Sequence, residues 1–141
     1  KIIVRCLSPK EREQMKVFLD DIRDPHLCLS YMQARIGVLN PIYAEDWVVV
    51  RNYDEFKSII NENMDKITHV SFDHDLSDAQ AMKYNYPDLM QDVELDESEK
   101  TGLDCAKYLK WIYAEHNKRR PIMFVHSMNV PGTEAIINLF K

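Results

Sequence analysis

The residues of this chain that are best suited to chemistry occur in three short polar clusters, each directly after an apolar run. The clusters are Asp20-Asp21, Asp73-His74-Asp75 and His126-Ser127. The apolar runs before them, residues 16–19, 67–72 and 121–125, have the composition of buried β-strands. In open parallel α/β sheets, ligands bind beyond the carboxyl ends of the strands, so the three clusters are expected to converge. Their side chains are typical of a site for a metal ion and a phosphate group.

The carboxylates are the candidate metal ligands. Asp20, Asp21 and Asp73 offer hard oxygen donors of the kind that Mg²⁺ prefers, and Mn²⁺ is the alternative ion. Without a cation, carboxylates at close range would raise one another's pKa. Asp75 is a fourth candidate ligand. Because Asp also commonly caps helices and turns, Asp21 and Asp75 each have a structural interpretation as well.

His74 and His126 are the candidate acid–base pair, and Asp73 is the third candidate catalytic residue. Hydrolysis of a phosphate ester needs a base that activates water and an acid that protonates the leaving oxygen, and histidine can do either near neutral pH. Since carboxylates flank His74, we assign it as the acid or phosphate-binding group and His126 as the base. The reverse assignment stays open, and each histidine also has an interpretation as a structural residue.

A phosphate group is expected at the start of the last predicted helix. Ser127 and Asn129 precede this helix, and the backbone around Gly132 lies in its first turn, where free N–H groups bind anions. Arg23 is a further candidate, because a guanidinium can hold a phosphate through two hydrogen bonds. The alternatives are a capping role for Ser127 and a surface ion pair for Arg23.

Alternating strand and helix patterns predict the scaffold that positions these residues. Strands are predicted at 16–19, 47–51, 67–72 and 121–125, and helices at 53–66, 101–117 and 131–141. Helix starts are indicated by Asn52 as an N-cap, by a capping-box pattern from Thr101 to Asp104, and by Pro131. Residues 24–46 are predicted as an irregular loop with one helical turn, and the acidic residues 77–100 as a loop or lid. This alternation is typical of βαβ units and a parallel sheet.

Composition limits the class of protein. The chain has 141 residues, 45% of them apolar, and a net charge of −5, which fits one globular domain. No apolar run approaches the roughly 18 residues of a membrane span. The one dense basic run, 118–120, is too small to predict a duplex nucleic-acid footprint. The three cysteines show no CxxC spacing and predict free thiols in a reducing compartment, hence a cytoplasmic protein.

The first residues have a separate interpretation. Met15, directly before the first predicted strand, has the place of a natural protein start, and residues 10–14 have the sequence that a translated, purine-rich ribosome-binding site would encode. We therefore expect residues 1–14 to be an N-terminal extension and residues 15–141 to form the single domain. The sequence does not predict an oligomeric state.

Four motifs in order carry a family resemblance. They are Phe18-Leu19-Asp20-Asp21-x-Arg23-x-Pro25, Ser71-Phe72-Asp73-His74-Asp75-Leu76, Thr101-Gly102-x-Asp104 and His126-Ser127-x-Asn129-x-x-Gly132. With them, residues 15–141 resemble the cyclic-phosphate-processing receiver-like domains, diverged relatives of response-regulator receivers. The resemblance implies a flavodoxin-like, three-layer α/β sandwich with a mainly parallel sheet in the strand order 2-1-3-4. The family often has Pro directly after the Asn of the last motif, whereas this chain has Val130 there and Pro131 next.

The resemblance also implies an activity, the processing of cyclic phosphates at RNA ends or in nucleotides. With the residues described above, it favours a metal-assisted phosphoesterase whose substrate is a cyclic-phosphate nucleotide or RNA end. The alternative is a non-catalytic module, either a signalling receiver phosphorylated on Asp73 or a nucleotide-binding module. Receivers sense the phosphoryl group with a lysine at the end of a fifth strand, and the residues after His126 predict one helix and no such strand. We therefore favour the enzyme.

Overall fold

The computed structural model describes residues 14–29, 40–77, 80, 82, 85–89, 100–127 and 129–141. The predicted extension therefore lies outside the described residues except for residue 14. The predicted loop over 24–46 is described in part, with helical backbone at residues 25–29. The acidic segment over 77–100 lies mostly outside, although residues 80, 82 and 85 have helical backbone.

A four-stranded parallel sheet forms the centre of the fold. Its strands are β1 (Met15–Leu19), β2 (Val48–Val50), β3 (Ile67–Phe72) and β4 (Ile122–Val125), in the order β2-β1-β3-β4. The register pairs the last residue of β1 with the last residues of β2 and β3, and the last residue of β3 with that of β4. The predicted strand order is confirmed. Because all four strands end level with one another, the residues that follow them lie along one edge.

Three helices begin close to the predicted positions. They are α1 (Tyr53–Asn63), α2 (Gly102–Glu115) and α3 (Val130–Leu139). The Asn52 cap and the reciprocal capping box of Thr101 and Asp104 are both present, so these predictions are confirmed. Helix α1 ends three residues earlier than predicted. The chain must turn over residues 64–66, since β3 begins immediately afterwards at Ile67.

The two faces of the sheet are covered differently, and β1 contributes to both. Val17 and Leu19 point into the main core beneath the helices, whereas Phe18 between them packs with Cys28 and Tyr43 on the opposite face. A 3₁₀ helix (Pro41–Ala44) in the loop before β2 supplies Tyr43. The helix-bearing core joins buried residues of the sheet to α1, α2 and α3, among them Phe56, Ile60, Leu109, Ile112 and Ile136.

The predictions about membrane spans and about free cysteines can be compared with the structure. Within the described ranges, no helix is both long and apolar enough to cross a membrane. Cys28 and Cys105 are buried free thiols, in agreement with the prediction for these two residues, and Cys6 lies outside the described part of the chain.

Candidate functional site

The residues after three neighbouring strands extend the sheet by one hydrogen bond each. The backbone N–H of Asp20 donates to Val50, that of Asp73 donates to Leu19, and that of His126 donates to Phe72. The three polar clusters are therefore side by side at the carboxyl edge. Asp20, Asp21 and Asp73 each offer a carboxylate oxygen, and these oxygens lie within 4.8 Å of one another.

Asp20 is completely buried, and both of its carboxylate oxygens accept hydrogen bonds. Oδ1 accepts from the backbone N–H groups of Ile22 and Arg23, while Oδ2 accepts from Arg23 Nε at 2.9 Å and lies 3.1 Å from His126 Nε2. Burial alone would raise the pKa of this carboxyl, but the hydrogen bond with His126 and the charge of Arg23 lower it to about 2. Asp20 is thus ionised at neutral pH.

Asp73 occupies the opposite electrostatic environment. Its side chain is 8% exposed, and Oδ1 accepts from the backbone N–H of His74 and lies 3.5 Å from Arg23 Nη2. Burial and then the neighbouring charge of Asp20 raise the pKa of Asp73 to about 7, although Arg23 opposes the shift. Arg23 therefore balances the charge of both carboxylates, and it lies closer to Asp20 than to Asp73.

Arg23 lies between the ends of β1 and β3, and a residue after β2 holds its backbone in place. Arg51, which follows β2, donates from Nη1 to the backbone carbonyls of Asp20 and Arg23 at 3.2 and 2.6 Å. These bonds fix the loop that carries Asp20, Asp21 and Arg23. Arg51 was not among the predicted site residues, although its place as the last residue of the predicted strand 47–51 put it at the same edge.

His126 is buried between aromatic rings, with no exposed side-chain surface. Its ring stacks on Phe18 with centroids 4.1 Å apart, Nε2 lies 3.1 Å from Asp20, and Nδ1 lies 2.7 Å from Ser71 Oγ. Burial lowers the pKa of His126, and Asp20 opposes that effect. Since both ring nitrogens have protein partners, this position suits a residue that orients Asp20 better than one that meets a ligand directly.

Two residues on the far side of His126 were not predicted. Ser71 Oγ lies 2.7 Å from the hydroxyl of Tyr43, and both residues are buried. A polar residue inside the apolar strand 67–72 was a usable signal for Ser71. Tyr43 comes from an irregular loop, and nothing in its local sequence indicates that its hydroxyl reaches β3.

His74 lies closer to the surface and has a different carboxylate. Its Nδ1 lies 2.9 Å from Asp75 Oδ1, and Asn129 Nδ2 donates to both Asp75 oxygens at 3.3 and 3.5 Å. Its Nε2 has no hydrogen-bond partner among the described residues, and its side chain is 18% exposed. Asp75, predicted as a metal ligand, is not one of the three carboxylates within 4.8 Å of one another.

The predicted phosphate-binding residues after β4 form the cap of α3. Asn129 is the N-cap, with Oδ1 accepting from the N–H of Gly132 at 2.9 Å. Ser127 Oγ accepts from the N–H of Asn129, and the Ser127 carbonyl accepts from Thr133 Oγ1. This part of the helix terminus already has partners in the protein. Asn129 also links this terminus to the carboxyl edge, because its Nδ2 lies 3.2 Å from His74 Nδ1 and 3.3 Å from Asp75 Oδ1.

Two glycines allow the helices to approach the Asp73-His74 turn. A Cβ at position 102 would lie 1.6 Å from the carbonyl oxygen of Asp73, and a Cβ at position 132 would lie 2.4 Å from Cγ of His74. The Gly102 N–H also donates to the carbonyl of His74 at 2.7 Å. The first turns of α2 and α3 therefore pack directly on this turn and fix its backbone.

Comparison with known proteins gives one match. Residues 15–141 match the family described as cyclic-phosphate processing Receiver domain. No curated protein and no solved structure gives a match. The matched range contains every candidate site residue described above.

Proposed function

The chain belongs to the family of cyclic-phosphate processing receiver domains, and from this membership and the site geometry we propose that it is a metal-assisted phosphoesterase that opens a cyclic phosphate. The substrate is a nucleotide or an RNA end. The observation that carries the proposal is the group of three carboxylates, Asp20, Asp21 and Asp73, beside Arg23 at the edge of the sheet.

The chemistry of these donors fits Mg²⁺, or Mn²⁺ as the alternative. Carboxylate oxygens are the hard ligands that Mg²⁺ takes from proteins, usually one or two of them with water and phosphate oxygens. The pKa of Asp73, about 7, reflects a carboxylate whose charge is incompletely balanced by the protein. Asp73 and the partly exposed Asp21 would hold the ion, with Asp20 behind them. When bound, such an ion stabilises negative charge that develops on a phosphoryl oxygen.

Arg23 is the proposed partner of the phosphate. Its side chain is 18% exposed and already lies between Asp20 and Asp73. A guanidinium carries five N–H donors in a fixed planar fork, a geometry that matches the oxygens of carboxylates and phosphates. Because Arg51 holds the backbone of the same loop, Arg23 is positioned before a ligand arrives.

We assign the acid–base role to His74. Asp75 at Nδ1 favours the tautomer with hydrogen on that nitrogen, which leaves the Nε2 lone pair available to remove a proton from water. The oxygen of that water then forms a bond to phosphorus, and one ester bond of the ring breaks. The protonated ring of His74 returns its proton to the leaving oxygen, so that one water molecule is consumed and one phosphate monoester is formed.

One observation favours the second candidate, a non-catalytic module that binds a nucleotide or receives a phosphoryl group on Asp73. Asp20, His126 and Asn129 have their polar groups engaged within the protein. A site of this kind can recognise a phosphate without turning it over. Ligand binding without turnover would support this candidate over the enzyme.

The test is a screen of phosphate esters with the purified protein, in the presence and absence of Mg²⁺ or Mn²⁺. Substrates would include 2′,3′-cyclic nucleotides, RNA ending in a cyclic phosphate, 3′,5′-cyclic nucleotides and ADP-ribose cyclic phosphate. We expect metal-dependent ring opening that is lost in Asp73→Asn. His74→Ala should lower turnover by roughly 10²–10⁴-fold, and His116→Ala, at the end of α2, is the matched control. Full activity in Asp73→Asn and His74→Ala would contradict the assignment.

A further inference from the structure

A buried chain of hydrogen bonds connects the loop before β2 to the candidate metal site. The Tyr43 hydroxyl lies 2.7 Å from Ser71 Oγ, Ser71 Oγ lies 2.7 Å from His126 Nδ1, and His126 Nε2 lies 3.1 Å from Asp20 Oδ2. These four residues are all at most 2% exposed. Their polar atoms therefore depend on one another for partners, which limits how their hydrogens can be arranged.

Asp20, at one end of this series of hydrogen bonds, determines in which direction the hydrogens are donated along it. Both carboxylate oxygens of Asp20 already accept other hydrogen bonds, Oδ1 from the backbone N–H groups of Ile22 and Arg23 and Oδ2 from Arg23 Nε, which is the arrangement of an ionised carboxylate. An ionised carboxylate can only accept a hydrogen bond, so His126 Nε2 must carry a hydrogen and donate it.

The positions of the hydrogens on Ser71 and Tyr43 follow because each hydroxyl donor needs an acceptor. With hydrogen on Nε2 alone, Nδ1 accepts from the Ser71 hydroxyl, and Ser71 Oγ in turn accepts from the Tyr43 hydroxyl. Every donor then has an acceptor. If Nδ1 also carried a hydrogen, it would donate to Ser71 Oγ, and either the Ser71 or the Tyr43 hydroxyl hydrogen would then have no acceptor in the described part of the chain.

We propose that Tyr43 and Ser71 are positioning residues that hold His126 in the tautomer with its hydrogen on Nε2, and that they thereby fix the orientation of the Asp20 carboxylate. The link to metal binding rests on the proposed function, whereas the direction of the hydrogens stands on the geometry alone. Neither residue touches the candidate ligand position, so both act through His126.

The packing around the ring supports this role. Phe18 stacks on the imidazole with a 9° angle between the rings, and Tyr43 contacts it edge-on. Tyr43 itself is held by Trp47, which stacks on its ring and donates from Nε1 to the carbonyl of Ile42. With the ring plane fixed by packing, the hydroxyl of Ser71 selects which nitrogen carries the hydrogen.

The first measurement is a long-range ¹H–¹⁵N correlation spectrum of the ¹⁵N-labelled full chain without metal. We expect His126 Nε2 to be protonated and Nδ1 to be an unprotonated acceptor. Tyr43→Phe frees the Ser71 hydroxyl to rotate and should shift the Nδ1 resonance, and Ser71→Ala should shift it further. Tyr113→Phe is the matched control, because Tyr113 is equally buried and its hydroxyl donates to Met64, away from the site.

The second measurement is the Kd for Mg²⁺, by calorimetric titration of the same variants. Loss of a group that orients a ligand's partner typically weakens metal binding by about 10–100-fold. We therefore expect Tyr43→Phe and Ser71→Ala to raise the Kd by roughly 10-fold, with no change in Tyr113→Phe.

The outcomes separate the two proposals. A protonated Nδ1 in the unsubstituted chain, or an unchanged Nδ1 resonance in Tyr43→Phe and Ser71→Ala, would overturn the positioning role. An unchanged Kd in both variants would overturn its link to metal binding. Absence of Mg²⁺ binding in the unsubstituted chain, with the expected shift of Nδ1, would support the positioning role and contradict the metal-assisted function.

Discussion

Asp20 and Asp73 follow adjacent strands of one sheet, yet the protein treats the two carboxylates in opposite ways. Asp20 accepts two backbone and two side-chain hydrogen bonds and has a pKa of about 2. Asp73 lies at a similar depth, shares the same arginine, and has a pKa of about 7. The difference lies in the number of donors that face each carboxylate, because burial raises the pKa of both.

The histidines differ in the same way. His126 pairs with Asp20 and is fully buried. His74 pairs with Asp75 instead, and its Nε2 has no hydrogen-bond partner among the described residues. One Asp–His pair is satisfied and holds the edge of the sheet together. The other region is incompletely compensated, and it is where a ligand would gain most from binding.

The largest effect is expected when the satisfied carboxylate is removed. Asp20→Ala removes the acceptor of the buried His126 Nε2 and of Arg23 Nε, and breaking a buried ion pair from one side costs roughly 3–5 kcal/mol. Urea unfolding at pH 7 measures this loss. Asp24→Ala is the control, since Asp24 only accepts from the N–H of Leu27 near the surface and should cost about 1 kcal/mol. Similar losses in both variants would contradict the role assigned to Asp20.

Asp73→Asn should instead stabilise the protein, in a pH-dependent way. The pKa of Asp73 rises from 3.8 to about 7 on folding, so the folded state binds the proton more tightly and loses stability as pH rises from about 4 to 7. The ionised carboxylate costs at most about 4 kcal/mol. In the absence of metal, Asp73→Asn should therefore gain roughly 2–4 kcal/mol at pH 8 and little at pH 4. A stability difference that does not change with pH would contradict the incomplete compensation of Asp73.

Asp20 is expected to give the opposite profile. Its pKa falls from 3.8 to about 2 on folding, so its contribution is complete above about pH 4 and is lost as pH falls towards 2. That contribution is about 2 kcal/mol. Unfolding free energies of the unsubstituted chain and Asp20→Asn between pH 2 and pH 5 measure it, and a gap that widens towards low pH would be the wrong sign.

A divalent ion should reduce the difference in charge compensation between Asp20 and Asp73. Mg²⁺ that binds only the folded state stabilises it by about 2.7 kcal/mol at a free concentration of 100 times Kd. We expect the Tm of the unsubstituted chain to rise with Mg²⁺ and to fall back when EDTA is added. Asp73→Asn should show a much smaller rise. An equal rise in both would place the ion elsewhere.

The last effect concerns the close packing of α2 and α3 on the turn formed by Asp73 and His74. Gly102→Ala places a methyl group against the Asp73 carbonyl and should cost roughly 1–3 kcal/mol as overpacking. An exposed helical Gly would instead gain up to about 1 kcal/mol from the same change. Gly132→Ala is the comparison, and we expect a smaller loss because its Cβ would meet side-chain atoms of His74 at 2.4 Å, whereas a Cβ at position 102 would meet backbone at 1.6 Å. Thermal unfolding of both variants decides the order.

The features that the sequence predicted well follow from local patterns or from the family resemblance. The strands, the Asn52 cap, the Thr101–Asp104 capping box and the strand order follow from periodicity, cap residues and the family resemblance, and all are confirmed. The same patterns placed Asp20, Asp73 and His126 at one edge, because parallel strands that end in register must present their next residues together.

What the sequence did not predict depends on contacts between distant segments. His126 and Asp20 are 106 positions apart, and Tyr43 and Ser71 are 28 apart, so no spacing rule connects them. The pattern of His126-Ser127 after a strand is the same whether the ring faces a ligand or the interior. Its enclosure follows from Phe18, whose side chain points away from the helix-bearing core, and from a tyrosine in an irregular loop.

The hydrogen bond from Gly102 to the carbonyl of His74 has a consequence for how this family can diversify. The chain leaves the sheet edge after His74 and returns to the same point at Gly102, so the ends of the intervening segment are joined independently of what lies between them. Closing a flexible loop of twice the length costs only about 0.6 kcal/mol more. Insertions, deletions and changes of charge within residues 81–99 can therefore accumulate while Asp73, His74 and the adjoining Asp75 keep their positions. The candidate site is therefore held by contacts that do not depend on the sequence of this segment.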